Sequence, residues 1–449
     1  MNYVTILRGL LGIIILLGIT FIFSNNKKKI NWRLVINGLL IQIIFAVFIL
    51  KGTELSKYFS PFGWPKKILE GIGYVFVLIL NFTSEGAKFV FGPLAISPGN
   101  SESIGSIFAF QVLPTIIFFA TLTSVLYYLG IMQKIVQAMA WVMAKIMGTS
   151  GAESLSNTAN IFVGQTEAPL LIKPYIKGMT RSEILTIMVG GMATIAGGVM
   201  AAYIQILGTS YSHIMNIPLD QAQILFATQL LGASTMAAPA GLLISKILIP
   251  ETTNPETKGT VKVPVEKNAS NFLEAAAIGA GDGLKLALNV GAMLIAFIAL
   301  IALMNFLLQY LGDVTGLNKI IMAKFNQPLN LQFLFGVILQ YIAVAIGVPI
   351  QNAMQFGSLI GTKVVLNEFV AYIDLTKMID LKQLDPKTIF MATYALCGFA
   401  NFSSIAIQIG GITPLAPNRR SDIASLGLKA VLGGSIATLM TAALGGILF

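Results

Sequence analysis

The chain of 449 residues is 55% hydrophobic and only 11% charged, with a formal net charge of +10. That composition excludes an ordinary soluble domain, in which about a quarter of residues are charged, and selects a polytopic membrane protein. The Lys and Arg are scattered between apolar runs with no basic domain interleaved with aromatics, which argues against nucleic acid as a partner; a single cysteine, Cys397, excludes an intrachain disulfide, and a single histidine, His213, argues against a His-built metal site.

Apolar runs near the spanning length of about 20 residues fall at 4–23, 33–50, 105–131, 184–207, 221–249, 284–311, 388–411 and 426–449. The first reads as a retained helix, because Lys27, Lys28 and Lys29 follow it and no small-residue cleavage pattern does. The segment 63–92 is interrupted by Glu70, Glu85 and Lys88 and is expected to lie at the membrane interface. Eight spans put both termini on one side. The basic groups Lys27–Arg33, Lys134–Arg181 and Arg419–Lys429 then share a face, which makes that face cytoplasmic and both termini external. Lys51, Lys57, Lys66 and Lys67 lie on the opposite face, so the bias is incomplete.

The hydrophilic stretch "ETTNPETKGTVKVPVEK" cuts the chain near its middle, and the halves on either side repeat one order of parts. In the first, the amphipathic "MQKIVQAMAWVMAKIMG" is followed by a semi-polar arm, the tip "GQTEAP" and a second arm running to Lys177. In the second, "LQFLFGVILQYIAVAIG" is followed by an arm, the tip "NEFVAY" and an arm running to Ile379. Each is succeeded by a span loaded with small and polar residues, "MATIAGGVMAAY" and "CGFANFSSIAIQIGG". Arms too short to cross, meeting at a polar turn, read as re-entrant hairpins. An odd number of spans separates them, so they enter from opposite faces: an inverted repeat, with the binding site expected at the repeat interface. The expected architecture is an all-α polytopic membrane protein of eight transmembrane helices, two re-entrant hairpins and interfacial helices. Its expected divisions are scaffold helices over 1–131, a first transport repeat over 132–250, a cytoplasmic linker over 251–270, a scaffold helix over 271–331 and a second transport repeat over 332–449.

Each tip carries an acid, Glu167 and Glu368, although a carboxylate at the bilayer centre costs about 2.5–3.5 kcal/mol on insertion scales. Gln165 and Thr166 offer donors and acceptors together, as an uncharged ring with alternating carbonyl and N–H edges requires. Glu368, Asn401 and Ser404 form a second group, in which an acceptor-only carboxylate suits a pair of sugar hydroxyls and the i, i+3 spacing of Asn401 and Ser404 puts them on one helix face. The pattern points to a neutral, hydroxyl-rich ligand bearing a heterocycle.

Four stretches in register, "GQTEAPL", "GAMLIAFIALIALMN", "GTKVVLNEFVAY" and "CGFANFSSIAIQIGG", resemble the concentrative nucleoside transporters of bacteria over nearly the whole chain. The resemblance implies nucleoside import by sodium symport through alternating access, with no organic cofactor, in a homotrimer of the bacterial inner membrane. It further implies that Gln165, Thr166 and Glu167 meet the nucleobase, with Val199 and Phe399 lining the same pocket, and that Glu368, Asn401 and Ser404 meet the ribose. Sodium is implied between the first tip and the following broken span, at Asn160, Val163, Thr194 and Ile195, the Val and Ile acting through their carbonyls. Thr194 stands where some relatives carry Ser and keeps the hydroxyl. Gly164 resembles members that admit purines as well as pyrimidines. Two other readings remain open from the residues: a proton carried by Glu167 or Glu368 in place of sodium, and an integral-membrane nucleoside hydrolase, against which stands the lack of any nucleophile–His pair. "GAGDGLK" at 279–285 lacks the spacing of a phosphate loop and is expected to let helices pack closely, and His213 is expected in a short external loop.

Overall fold

The computed structural model describes residues 3–96, 103–105, 107–259, 269–325 and 327–449. Regular structure among them is helical, and the one isolated bridge joins Ser150 to Lys258. Residues 260–268 of the expected linker lie outside the described residues.

The N-terminal third contains α1 (Tyr3–Ile22), α2 (Trp32–Leu55), α3 (Trp64–Phe91), the single turn α4 (Phe108–Gln111) and α5 (Leu113–Tyr128). The segment with Glu70, Glu85 and Lys88 is therefore one continuous helix, α3, whose charges pair locally as Lys66–Glu70 and Lys88–Glu85 near its ends. By length and composition it is apolar enough to cross a membrane. Its start meets the end of α2, where Lys66 Nζ donates to Thr53 Oγ1, and its end meets α4, where the Phe91 and Phe110 rings lie tilted with centroids 4.9 Å apart.

Next come α6 (Ile131–Met147), α7 (Gly151–Ala159), an irregular tip, α8 (Lys173–Ile176), α9 (Arg181–Ala193), α10 (Gly197–Met215) and α11 (Leu219–Leu248). The chain then runs through α12 (Phe272–Val314) and α13 (Leu317–Phe325) to α14 (Leu331–Ala345), α15 (Ala353–Val365), α16 (Glu368–Asp380), α17 (Pro386–Leu396), α18 (Phe402–Ile412) and α19 (Arg420–Leu448). The order helix, hairpin, broken helix, long helix thus occurs twice, as α6–α11 and as α14–α19. The spans at 184–207 and 388–411 are each two helices end to end, α9 with α10 and α17 with α18.

Local chemistry explains these boundaries. Gly148, in the left-handed region at φ +71°, stops α6, and Ser150 starts α7 through a reciprocal capping box with Glu153. The same device, Thr180 with Glu183, starts α9. Lys246 from the end of α11 reaches Glu153 at 2.6 Å and Ser182 Oγ at 3.0 Å, so one buried cation ties the base of the first hairpin to the start of α9. In the second repeat Asn352 plays a comparable part with neutral groups: it donates to the Gln383 carbonyl at 2.9 Å and accepts from Thr388 Oγ1 at 3.3 Å, while Asp385 caps α17.

The core lies where the repeats meet. In its most apolar stretch α11 is 94% buried, whereas the corresponding stretch of α12 is only 17% buried and shows its apolar side chains outward. Two of the three glycines of "GAGDGLK", all helical, serve close packing: a Cβ on Gly279 or Gly283 would sit 2.7 Å from the α5 backbone at Thr121 or Ile117, whereas one on Gly281 would meet open space. The chain just before the first basic group and parts of the other two meet at one end of the molecule, where Lys429 holds Asn25 and Arg419 donates to the Lys177 and Met179 carbonyls. His213 is in the last turn of α10 and exposed, not in a loop; Asn216, in the left-handed region at φ +52°, ends that helix beyond it. Cys397 is buried at the end of α17.

Candidate functional site

The two broken helices cross at their breaks. After α9 the chain turns extended at Thr194 (φ −122°, ψ 171°) and restarts as α10 behind Ala196; after α17 it turns at Cys397 and restarts as α18 behind Asn401. Gly398 stands between, at φ +150°, and a Cβ there would lie 2.7 Å from the Met192 carbonyl oxygen. Only glycine allows both that backbone and that approach. Breaking a helix exposes carbonyls on one side and N–H groups on the other. One of those N–H groups, on Gly197, donates to the Phe162 carbonyl of the first tip at 3.0 Å, which fastens the tip to the break.

The second tip is compact. Asn367 caps α16 by accepting from Val370 N at 2.9 Å, and Glu368 follows as the first residue of α16, at the positive end of the helix dipole. Its carboxylate accepts from Tyr203 OH at 3.2 Å and from Asn401 Nδ2 at 2.8 Å, and the residue is 6% exposed. Asn401 precedes α18 rather than lying in it: its Oδ1 accepts from Ser404 N at 2.8 Å, so Asn401 and Ser404 are neighbours through a cap and not as two points on a helix face.

From Ser404 the chain of hydrogen bonds crosses into the first repeat. Gln165 Nε2 donates to Ser404 Oγ at 3.1 Å, and Gln165 Oε1 accepts from Gln408 Nε2 at 3.0 Å, which also donates to the Met188 carbonyl at 2.9 Å. Gln408, Gln165, Ser404, Asn401, Glu368 and Tyr203 therefore form one polar string joining both repeats in the core. Gln165, Glu368, Asn401 and Ser404 stand together in it. Thr166 lies against Gly411 of α18, Val199 is buried in the first turn of α10, and Phe399 is half-buried in the break against the core.

Glu167 lies apart from that string. Among the described residues its Oε2 accepts only from Gly164 N of its own tip, at 3.1 Å, and it lines a cavity of 430 Å³ between the first hairpin, α5, the start of α10 and α12. Tyr127, Gln133, Phe162, Lys173 and Asp282 share that wall.

The residues expected to hold an ion surround the first break. Asn160, buried at the end of α7, spends its Nδ2 on the Ser156 carbonyl, and its Oδ1 is buried with no hydrogen-bond partner among the described residues. The Val163 and Ile195 carbonyls accept no hydrogen bond among the described residues, and Thr194 Oγ1 donates to the Gly190 carbonyl at 3.0 Å, leaving its lone pairs free. A set of buried, unclaimed oxygens fits a hard monovalent cation.

Tyr203, Gln408 and Lys363 escape the sequence reading. Gln408 and Lys363 fall inside the quoted motifs, and a lysine within an apolar arm is itself a signal of function. Tyr203 closes the quoted "MATIAGGVMAAY", but an aromatic at the end of an apolar run is common and did not stand out.

The chain matches the family models described as Na+ dependent nucleoside transporter N-terminus over residues 11–94, Nucleoside recognition over 109–210 and Na+ dependent nucleoside transporter C-terminus over 229–446. An uncharacterized transporter of Haemophilus influenzae is 45% identical over 99% of this chain and 98% of its own. Nucleoside permease NupC of Helicobacter pylori is 39% identical over 98% and 97% respectively. Among solved structures, CNTnw in an inward-facing substrate-bound state is 38% identical with a TM-score of 0.84, covering 99% of this chain and 98% of the other.

Proposed function

The chain belongs to the Na+ dependent, or concentrative, nucleoside transporter family, and from that premise we propose that it imports nucleosides by sodium symport through alternating access. Transport of nucleosides in a membrane, and not enzymatic chemistry, is the family's activity. The finer reading rests on one observation above all: a hydrogen-bonded string that joins the tips and broken helices of both repeats, beside a cluster of unclaimed oxygens at the first break.

In this reading the nucleoside opens the string. Glu368, presenting an acceptor-only carboxylate, takes the ribose hydroxyls with Asn401 and Ser404, and Gln165 turns from Ser404 toward the base, joined by Thr166, Glu167, Val199 and Phe399. Tyr203 and Gln408 act as orienting partners that hold Glu368 and Gln165 in place. Sodium is the co-transported cargo, taken by Asn160 Oδ1, Thr194 Oγ1 and the Val163 and Ile195 carbonyls. Because Gly197 N holds the Phe162 carbonyl, an ion at the break also orders the tip that presents Gln165. One charge falling through about 100 mV releases roughly 2.3 kcal/mol, a concentration factor of about fiftyfold, enough to drive uptake uphill.

The membrane disposition is part of the proposal: eight crossings, α1, α2, α5, α9–α10, α11, α12, α17–α18 and α19, with α7–α8 and α15–α16 as re-entrant hairpins. Two 13-residue arms of about 20 Å each fall short of a 30 Å hydrocarbon core. The contact of Lys429 with Asn25, next to the first basic group, supports this count, since α3 crossing as well would send Asn25 and Lys429 to opposite faces; α3 then runs along the interface. That basic end is cytoplasmic, both termini are external and the location is the bacterial inner membrane. Helices α6–α11 and α14–α19 form the moving body against α1, α2, α3, α5 and α12. The outward apolar side chains of α12 fit a homotrimer interface. With Gly164 leaving the base open, pyrimidine and purine nucleosides are both substrates.

The test is uptake of radiolabelled uridine into proteoliposomes with an inward sodium gradient, against choline at the same pH. Accumulation above equilibrium with sodium alone is expected. Equal uptake in choline removes sodium coupling in favour of a proton, and recovery of free base and sugar inside removes transport of the intact nucleoside.

A further inference from the structure

Lys363 is a buried cation that the scheme above leaves unused. It lies in α15, the first arm of the second hairpin, and is 1% exposed. Its Nζ donates to the Ala395 carbonyl at 2.8 Å and to Thr438 Oγ1 at 3.1 Å, and no carboxylate lies within ion-pair distance among the described residues. A lysine buried in an apolar arm without an ionic partner needs another source of stabilisation. Its partner supplies one: Ala395 is the penultimate residue of α17, and the last carbonyls of a helix are both unpaired and the negative end of its dipole.

The first repeat has the same station and fills it differently. There the last carbonyls of α9 lead into the break at Thr194 and Ile195, beside the Asn160–Val163 segment. No lysine or arginine occurs between Gly151 and Ile172. Counting back from the tip acids, the residue that matches Lys363 is Phe162, in the middle of Asn160–Val163. Thus each half-helix ends, within the protein, at a place that calls for positive charge; one has unclaimed oxygens and the other has an ammonium.

We infer that Lys363 is a tethered cation that permanently occupies, in the second repeat, the station at which the first repeat takes its exchangeable sodium. It is a positioning residue: through the Ala395 carbonyl it fixes the end of α17, hence the break from which Asn401 reaches Glu368. Its consequence is for coupling. The second hairpin is loaded at all times, so only the first responds to sodium, and the cycle does not draw a second ion at the matching place. This inference rests on the proposed sodium site of the first repeat.

The experiment compares the wild type with Lys363→Ala, which leaves room and bare oxygens, and Lys363→Met, which removes the charge but fills the space. Uridine affinity of the purified proteins is measured across a sodium titration, and sodium-induced thermal stabilisation is measured without nucleoside. Both variants are expected to bind uridine about tenfold more weakly at low sodium, the scale of losing a cation at a buried helix C-terminus. In Lys363→Ala, high sodium restores the affinity along a steeper curve than the wild type's, and sodium raises the melting temperature more than in the wild type. In Lys363→Met neither rescue occurs. Wild-type affinity in both variants, or identical sodium responses in Ala and Met, overturns the inference. The stabilisation measurement needs no transport, so it stands even where a variant is inactive. A wild type that neither binds uridine nor responds to sodium fails the proposed function instead.

Discussion

Between Ser156 and Asn160 the first hairpin buries five side-chain polar atoms with no hydrogen-bond partner among the described residues: Ser156 Oγ, both ends of Asn157, Thr158 Oγ1 and Asn160 Oδ1. The arms of the second hairpin leave two, Gln355 Oε1 and Thr362 Oγ1, while Lys363, Asn367 and Glu368 are all paired. Each buried group without a partner costs about 1–3 kcal/mol, so the first hairpin is incomplete by itself and the second is nearly self-sufficient. A symmetric plan can therefore support asymmetric roles. The arm that lacks partners is the one whose order depends on an added ion, and the arm that carries its own is the fixed reference for the sugar.

The comparison breaks most easily at Glu368. Glu368→Gln replaces an acceptor-only group, held between Tyr203 and Asn401, with an amide that turns a donor on one of them; uridine affinity by calorimetry is expected to fall by roughly 1.5–3 kcal/mol, the range for a hydrogen bond to a charged group. Unchanged affinity takes Glu368 out of the site. Gly398→Ala forces a side chain into the Met192 carbonyl and a disfavoured backbone, at a cost of about 1–3 kcal/mol, read as a lower melting temperature in sodium and in choline alike. Asn160→Ala sharpens the contrast from the other side: it removes one neutral ligand, so the sodium concentration for half-maximal uridine binding rises about fivefold, equivalent to about 1 kcal/mol. Saturating sodium restores uridine affinity in this variant, which it does not do for Glu368→Gln. Glu167→Gln has the smallest expected effect, under about 1 kcal/mol on uridine affinity, because that carboxylate faces the cavity and, among the described residues, bonds only its own Gly164 N–H. A loss as large as that of Glu368→Gln contradicts the division of labour between the tips.

Much of this was legible because polar residues inside apolar runs are expensive and stand out. The tips around Glu167 and Glu368, the interrupted helices at Thr194 and Asn401, and the duplicated order of parts all carry that mark. The pairing across repeats was not legible: Gln165 meets Ser404 and Gln408, and Tyr203 meets Glu368, across more than 160 positions, and no periodicity specifies such contacts. Composition likewise put Glu167 and Glu368 on an equal footing, whereas three dimensions separate an acid with two donors in the core from one on a cavity wall. The segment 63–92, expected as an interfacial helix, is one continuous helix whose charges pair along its own surface.

The most direct measurement is uridine binding to the purified protein across a sodium titration, paired with sodium binding across a uridine titration. If an ion at the first break orders the tip that presents Gln165, each ligand raises the other's affinity by the same factor, as linkage requires. Uridine affinity that does not change between sodium and choline contradicts the account.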